Sequence, residues 1–226
     1  MFSSKKTRIC LVVTIALIGL AAVFLTNIPV WLKYKKGDIK DYNQLKAGEL
    51  QEGDLVRGTI DQVLGACAEE YNTSYGVRTS DKSSKLYYVL WMDCEQFLLY
   101  EASGGSFDKL DKITDETIKY YESLSDARDS GDLSQVAQPT ETMEFEGRAV
   151  ELPSKIQGFF KEWYDDTFDD GEFSSSTEAV MLRPVKFDRL GLLVILGFVF
   201  ALLAVGGILL TVIVWRRERE KPDQFY

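Results

Sequence analysis

Leu86-Tyr87-Tyr88-Val89-Leu90-Trp91-Met92 is apolar or aromatic at every position, and Asp93-Cys94-Glu95-Gln96 separates it from Phe97-Leu98-Leu99-Tyr100. The first run is too short to cross a bilayer, and its aromatic residues favour extended backbone. A strand with no polar position is covered on both faces, so the run reads as a central strand. The four polar residues turn the chain, and the second run returns as its neighbour, ended by Gly104-Gly105.

Upstream, Leu55 to Tyr71 begins as an alternating strand, with Val56, Gly58 and Ile60 against Arg57, Thr59 and Asp61. Its phase blurs after Asp61-Gln62 and Gly65 interrupts it, which predicts a long strand with a bulge or bend. Asn72 to Lys85 is rich in Ser, Thr, Asn and Lys and reads as an exposed hairpin loop. Asn72-Thr73-Ser74 within it is a glycosylation sequon, a tripeptide common by chance. Lys33 to Glu52 reads as a lead-in with a short helix around Tyr42 to Ala47.

Downstream the period changes. Phe107, Leu110, Ile113, Thr117, Ile118, Tyr121 and Leu124 recur every three or four residues, predicting an amphipathic helix over 106–124. Ser106 is placed to cap it and Asp108 to complement its dipole. Ser125 to Thr142 is a polar connection. Met143 to Leu152 alternates as a fourth strand, Lys155 to Tyr164 gathers Ile156, Phe159, Phe160 and Trp163 on one helical face, and Glu178 to Phe187 is a fifth strand. The expected fold is α+β: a curled antiparallel sheet, an OB-like partial barrel in the order β-β-β-α-β-α-β. A generic helix-on-sheet α+β sandwich is the alternative.

Both ends of the chain are apolar. Residues 9–32 and 190–215 contain no charged side chain, and each run is longer than the roughly 30 Å hydrocarbon core requires of a helix. The first run follows Lys5, Lys6 and Arg8, as in a secretory signal. It continues past the small residues Gly19 and Ala21 to Leu32, so an uncleaved anchor is expected over a cleaved signal. The resulting layout is a tail over 1–8, a transmembrane helix over 9–32, an exposed domain over 33–189, a second transmembrane helix over 190–215 and a tail over 216–226. Both short tails are basic, with Arg216, Arg217, Arg219 and Lys221 in the second. The positive-inside rule therefore predicts a two-pass plasma-membrane protein with both termini cytoplasmic and the central domain extracytoplasmic, tethered close to the bilayer at both ends.

Composition excludes several function classes. Residues 33–189 hold 19 Lys and Arg against 32 Asp and Glu, a net charge of −13. Such a surface repels nucleic acid. The chain contains no histidine, so a Ser-His-Asp or Cys-His pair and a His-ligated zinc are impossible within it. No acidic or basic residue interrupts either span, which argues against an ion pathway. No cofactor motif is present, and no catalytic constellation stands out.

Four candidate features remain. Asp165, Asp166, Asp169 and Asp170 form an acidic loop around Gly171, a weak cation candidate that fails the EF-hand spacing at Phe168 and Thr177. Cys67 and Cys94 share an oxidising compartment and are candidates for one disulfide. Tyr88, Trp91 and Tyr100 are candidates for a ligand groove, with core packing as the alternative. Ala22-x-x-x-Thr26 and Gly197-x-x-x-Ala201 offer small-residue spacings for helix contact and for a homo-oligomer.

The Gly53-Asp-Leu-Val-Arg-Gly-Thr-Ile60 opening, the Leu86 to Tyr100 strand pair and the Phe145-Glu-Gly-Arg-Ala-Val-Glu-Leu-Pro153 segment resemble the uncharacterised two-span membrane proteins of Gram-positive bacteria. These carry one β-rich extracytoplasmic domain. The resemblance implies a fold and a location and brings no catalytic residue. The function expected is non-enzymatic: a membrane-anchored interaction or scaffold module for a protein partner or envelope component. The alternative is a ligand-sensing domain coupled to a partner through the spans.

Overall fold

The computed structural model describes residues 5–75, 77–130, 132, 134, 136, 138–168 and 172–219. The chain divides into two compact units, residues 1–36 with 187–226, and residues 37–186.

The first unit is helical. Helix α1 spans Lys5–Leu25, α2 spans Ile28–Lys35 and α6, the last helix of the chain, spans Phe187–Arg219. Two segments, Thr7–Lys35 and Phe187–Arg217, are long and apolar enough to cross a membrane. The break between α1 and α2 falls at Thr26-Asn27. Pro29 has no N–H to give the carbonyl four residues back, and its ring crowds that carbonyl, so the helix restarts rather than continues. Helices α1 and α6 run antiparallel, with Thr14 beside Gly207, Leu25 beside Gly197 and Trp31 beside Gly191. Their buried residues recur with a seven-residue period: Thr7, Thr14 and Ala21 on α1, and Leu190, Gly197, Ala204 and Thr211 on α6, with Val194 four residues after Leu190. This is the near-parallel seam of helices packed knob into hole. A Cβ on Gly197 would lie 2.8 Å from Leu25 Cδ2 and 3.2 Å from its backbone nitrogen, so only glycine allows this approach. Phe24 stacks on Phe200 at 5.6 Å. The Ala22-x-x-x-Thr26 spacing is not part of the seam. Both residues are exposed, because the seam phase falls on Ala21 and Phe24 instead.

The second unit is a seven-stranded mixed sheet with helices on both faces. Its strands are β1 (Ile39–Asp41), β2 (Leu55–Ile60), β3 (Val63–Ser74), β4 (Val77–Met92), β5 (Gln96–Ser103), β6 (Met143–Glu151) and β7 (Thr177–Pro184). Helix α3 (Phe107–Ser130) follows β5, and α4 (Ser154–Thr167) and the single turn α5 (Phe173–Ser176) lie between β6 and β7. The order across the open sheet is β1-β2-β6-β7-β5-β4-β3. β5 and β7 run parallel, as do β1 and β2. The other neighbours are antiparallel.

Strand alternation divides the core in two. Tyr88, Leu90, Met92, Leu98, Tyr100, Ala102 and Leu182 meet Leu110 and Ile113 of α3 on one face. Tyr87, Val89, Phe97, Leu99 and Met181 meet Ile156, Phe160 and Tyr164 of α4 on the other. That is why Leu86 to Met92 has no polar position. Each fully buried side chain on either face contributes about 1.5–3 kcal/mol of apolar transfer.

Several sequence expectations change in detail. The predicted first strand is bent into β2 and β3 around Asp61-Gln62, with a register shift at Gly65, whose φ is +132°. Asn72 to Lys85 is not a loop: β3 and β4 remain paired out to Ser74↔Val77. The Tyr42 segment is a short 3₁₀ turn over Tyr42–Gln44, held by Asn43, whose side chain accepts from Thr59 N–H at 2.9 Å and donates to its carbonyl at 3.0 Å. Ser106 does not cap α3. Its hydroxyl donates to the Ser103 carbonyl at 2.9 Å, because a 3₁₀ turn precedes the helix. Phe187 starts α6 rather than ending β7.

Candidate functional site

Helices α3 and α4 cover opposite faces of the sheet, and both reach its β3 edge. α3 is fixed there by Thr117, a buried residue whose hydroxyl accepts from Val63 N–H at 3.2 Å while donating to Ile113 C=O at 2.8 Å. One turn later the Tyr121 hydroxyl donates to Gln62 Oε1 at 2.9 Å. Burial, and then the neighbouring Tyr120 and Asp61, keep the Tyr121 phenol above its ordinary pKa, so it stays a neutral donor.

These contacts leave an open apolar pocket of about 630 Å³ between the second half of α3, the end of α4 and the sheet. This volume lies in the range of small-molecule sites. The sheet supplies Leu64, Trp91 and Phe97. Trp91 and Phe97 are register partners across the β4–β5 turn, with ring centroids 4.7 Å apart. Trp163 of α4 stands edge-on to Phe97 at 6.3 Å, and Phe168, just past α4, lies 5.1 Å from the same ring. Ile118 and Tyr121 form the α3 wall. Aromatic rings at these spacings hold one another in place, so the wall is preformed. Ile118, Tyr121 and Phe168 remain at least a third exposed although large and apolar. Apolar surface gathered round a concavity marks an interaction site. Two carboxylates, Glu95 and Glu122, also line the pocket, and among the described residues no Lys or Arg does.

The groove expected from Tyr88, Trp91 and Tyr100 is not formed. Tyr88 and Tyr100 are buried on the α3 face, where Tyr88 donates to Asp111 Oδ1 at 2.6 Å. Burial pushes the Tyr100 phenol up to about 12 and raises that of Tyr88, so both are uncharged core groups. Trp91 is three residues from Tyr88 and therefore points to the opposite face. That odd spacing was readable in the sequence. The pairing of Trp91 with Trp163 and Phe168 was not, since those residues come from a helix placed by tertiary contacts.

The Cys67–Cys94 disulfide is likewise absent, and both thiols are free. Cys94 packs against the α3-side core and Cys67 against the α4-side core, so the sheet lies between them. Burial pushes the Cys67 thiol up to about 12, which leaves it unreactive. Of the acidic candidates, Asp165 and Asp166 lie in α4 rather than in a loop, and Asp165 pairs with Lys161 at 2.5 Å. Asp169 and Asp170 lie outside the described residues. Among the described residues no group of three carboxylates or thiols is arranged to hold a metal. The buried carboxylate Glu101 is met by two partly exposed cations: it accepts from Arg183 Nη2 at 2.9 Å and faces Lys85 Nζ at 3.0 Å.

Neither the curated proteins nor the solved structures include a match to this chain. A single family model spans both the helical unit and the sheet unit, from residue 2 to residue 215, and the chain belongs to that family, described as Domain of unknown function (DUF8577).

Proposed function

We propose that the chain is a two-pass membrane protein of the plasma membrane whose extracytoplasmic domain binds a small apolar molecule, as a ligand-sensing module rather than an enzyme. The observation that carries this reading is the preformed aromatic pocket of Trp91, Phe97, Trp163 and Phe168. The proposed orientation, with both termini in the cytoplasm, is supported by the basic flanks, Lys5 and Arg8 before the first span and Arg216 and Arg217 after the second. The Gram-positive resemblance fits that placement.

An OB-like origin for the domain is part of this proposal. Taking β2 and β3 as two halves of one bent strand, the long strands run 1-2-3-5-4-1 across the sheet, with the third and fifth parallel. In an OB-fold the bent first strand also pairs with both the second and the fourth, and a helix follows the third. Here α3 follows β5, and α4 and α5 are inserted before the last strand.

The test is intrinsic fluorescence of the full chain in non-ionic maltoside micelles, with Trp31→Phe and Trp215→Phe leaving Trp91 and Trp163 as reporters. Small water-soluble aromatic compounds of differing charge are titrated in. At least one should give a saturable change that Ile118→Arg, at a 44% exposed wall position, abolishes. No saturable change with any of them sinks the reading.

The interaction-module alternative has its own support. The β3–β4 arm continues past the β5 pairing, which ends at Lys85↔Ser103, and presents Tyr75 and Val77 fully or largely exposed at its tip. On that reading, Tyr75→Ser with Val77→Ser releases a partner that otherwise co-purifies in stoichiometric amount.

A further inference from the structure

Resting on the pocket reading above, we infer that the ligand is an organic cation, an ammonium or other positive group joined to an apolar body. The pocket supplies two kinds of attraction for such a molecule, and among the described residues no cation lines it to repel one. Ring faces carry negative potential, and a cation within about 6 Å of a Trp or Tyr centroid is held by it, more strongly once water is displaced. Trp91, Phe97, Trp163 and Tyr121 bring rings from four elements, β4, β5, α4 and α3, around one space. Two exposed carboxylates also line it, Glu95 from the β4–β5 turn and Glu122 from α3. No basic side chain among the described residues lines the pocket to neutralise them, and the segment 33–189 is acidic as a whole. An anionic ligand would meet two carboxylates with no counter-charge. A neutral one would leave that charge unused. Glu95 also occupies a backbone position with φ +60°, where glycine is the comfortable residue.

That last feature yields a variant that does not depend on a damaged fold. Glu95→Gly removes the carboxylate while relieving the left-handed backbone, so the domain should be at least as stable as before. The Trp31→Phe, Trp215→Phe full chain in maltoside micelles is titrated with benzyltrimethylammonium, with neutral benzyl alcohol and with phenylmethanesulfonate. The cation should bind at least tenfold tighter than the anion and tighter than the alcohol. Glu95→Gly combined with Glu122→Gln should weaken the cation by roughly tenfold, each exposed carboxylate accounting for about three- to fivefold. The same pair of substitutions should leave the alcohol unchanged. If the alcohol binds as tightly as the cation, or the double substitution leaves the cation unaffected, the inference is overturned while the pocket reading survives. If none of the three binds, both fall together.

Discussion

In the helical unit glycine, alanine and threonine hold much of the seam and many large apolar residues are exposed, whereas in the sheet unit large apolar residues form the interior. Gly197, Ala204 and Thr14 sit in the α1–α6 seam, while Leu202, Ile195 and Leu209 are exposed. Phe160, Leu90 and Ile113 are fully enclosed in the sheet unit. The difference follows from the solvent each unit is suited to. Helices in hydrocarbon gain little by hiding leucine from lipid and associate through close backbone approach. A domain in water is held mainly by burying apolar area. Polar residues follow the same division. In the seam, Thr14 and Thr211 return their hydroxyls to their own helix, to Cys10 C=O and Gly207 C=O, both at 2.8 Å. In the sheet unit, Thr117 and Tyr88 use theirs to join separate elements.

The strongest way to break the comparison is to truncate one large side chain in each unit. Phe160→Ala should destabilise the sheet unit by about 3–5 kcal/mol, since the ring is wholly enclosed between α4 and the sheet. Leu202→Ala, at 74% exposure on α6, should change stability by no more than about 0.5 kcal/mol. Urea unfolding of the full chain in micelles, followed separately by sheet and helix signals, compares the two. Equal effects would mean that the helical unit is also held by burial of large side chains.

A smaller effect sharpens the seam. Gly197→Leu should cost the helix pair about 1–3 kcal/mol, because the added carbon meets Leu25 including its backbone. Gly206→Leu should be nearly silent, since nothing lies within 4 Å of its added Cβ. Disulfide trapping between cysteines introduced at Thr14 and Gly207 reads the approach of the helices. It should slow with the first substitution and not with the second.

The smallest effect concerns pH. Glu116 accepts from the backbone N–H groups of Glu141 and Thr140, at 2.8 and 2.6 Å, and so fastens the chain entering β6 to α3. These bonds favour the carboxylate and hold its pKa below the ordinary glutamate value. A lowered folded pKa means that the stabilisation is complete above the ordinary glutamate pKa and is lost as pH falls through the folded value. Hydrogen exchange at the Thr140 and Glu141 amides should therefore lose protection only in that acid window. Glu116→Gln should reduce protection at neutral pH, and helix α1 should show no matching change.

By itself, the sequence determined the two long apolar helices, because length and absence of charge require no knowledge of neighbours. It determined most of the elements as well, since periods of two and of three to four are local properties. Phe107 to Leu124 and Met143 to Leu152 fall where α3 and β6 lie. The bend at Asp61-Gln62 was visible as a loss of phase, and the seam residue Gly197 as a small-residue spacing. What only the tertiary structure decided was partnership across the chain. Alternation says that Tyr88 and Trp91 part company, but not that α3 covers one face and α4 the other. It says nothing of β2 and β3 lying well apart in the sheet order, with β6, β7, β5 and β4 between them, although only two residues separate them in sequence. Cys67 and Cys94 were separated in the same way, by a sheet that no local pattern assembles. The pocket exists because α3 and α4 both reach the β3 edge of the sheet, and such long-range contacts are set by the balance of burial against chain entropy over the whole domain.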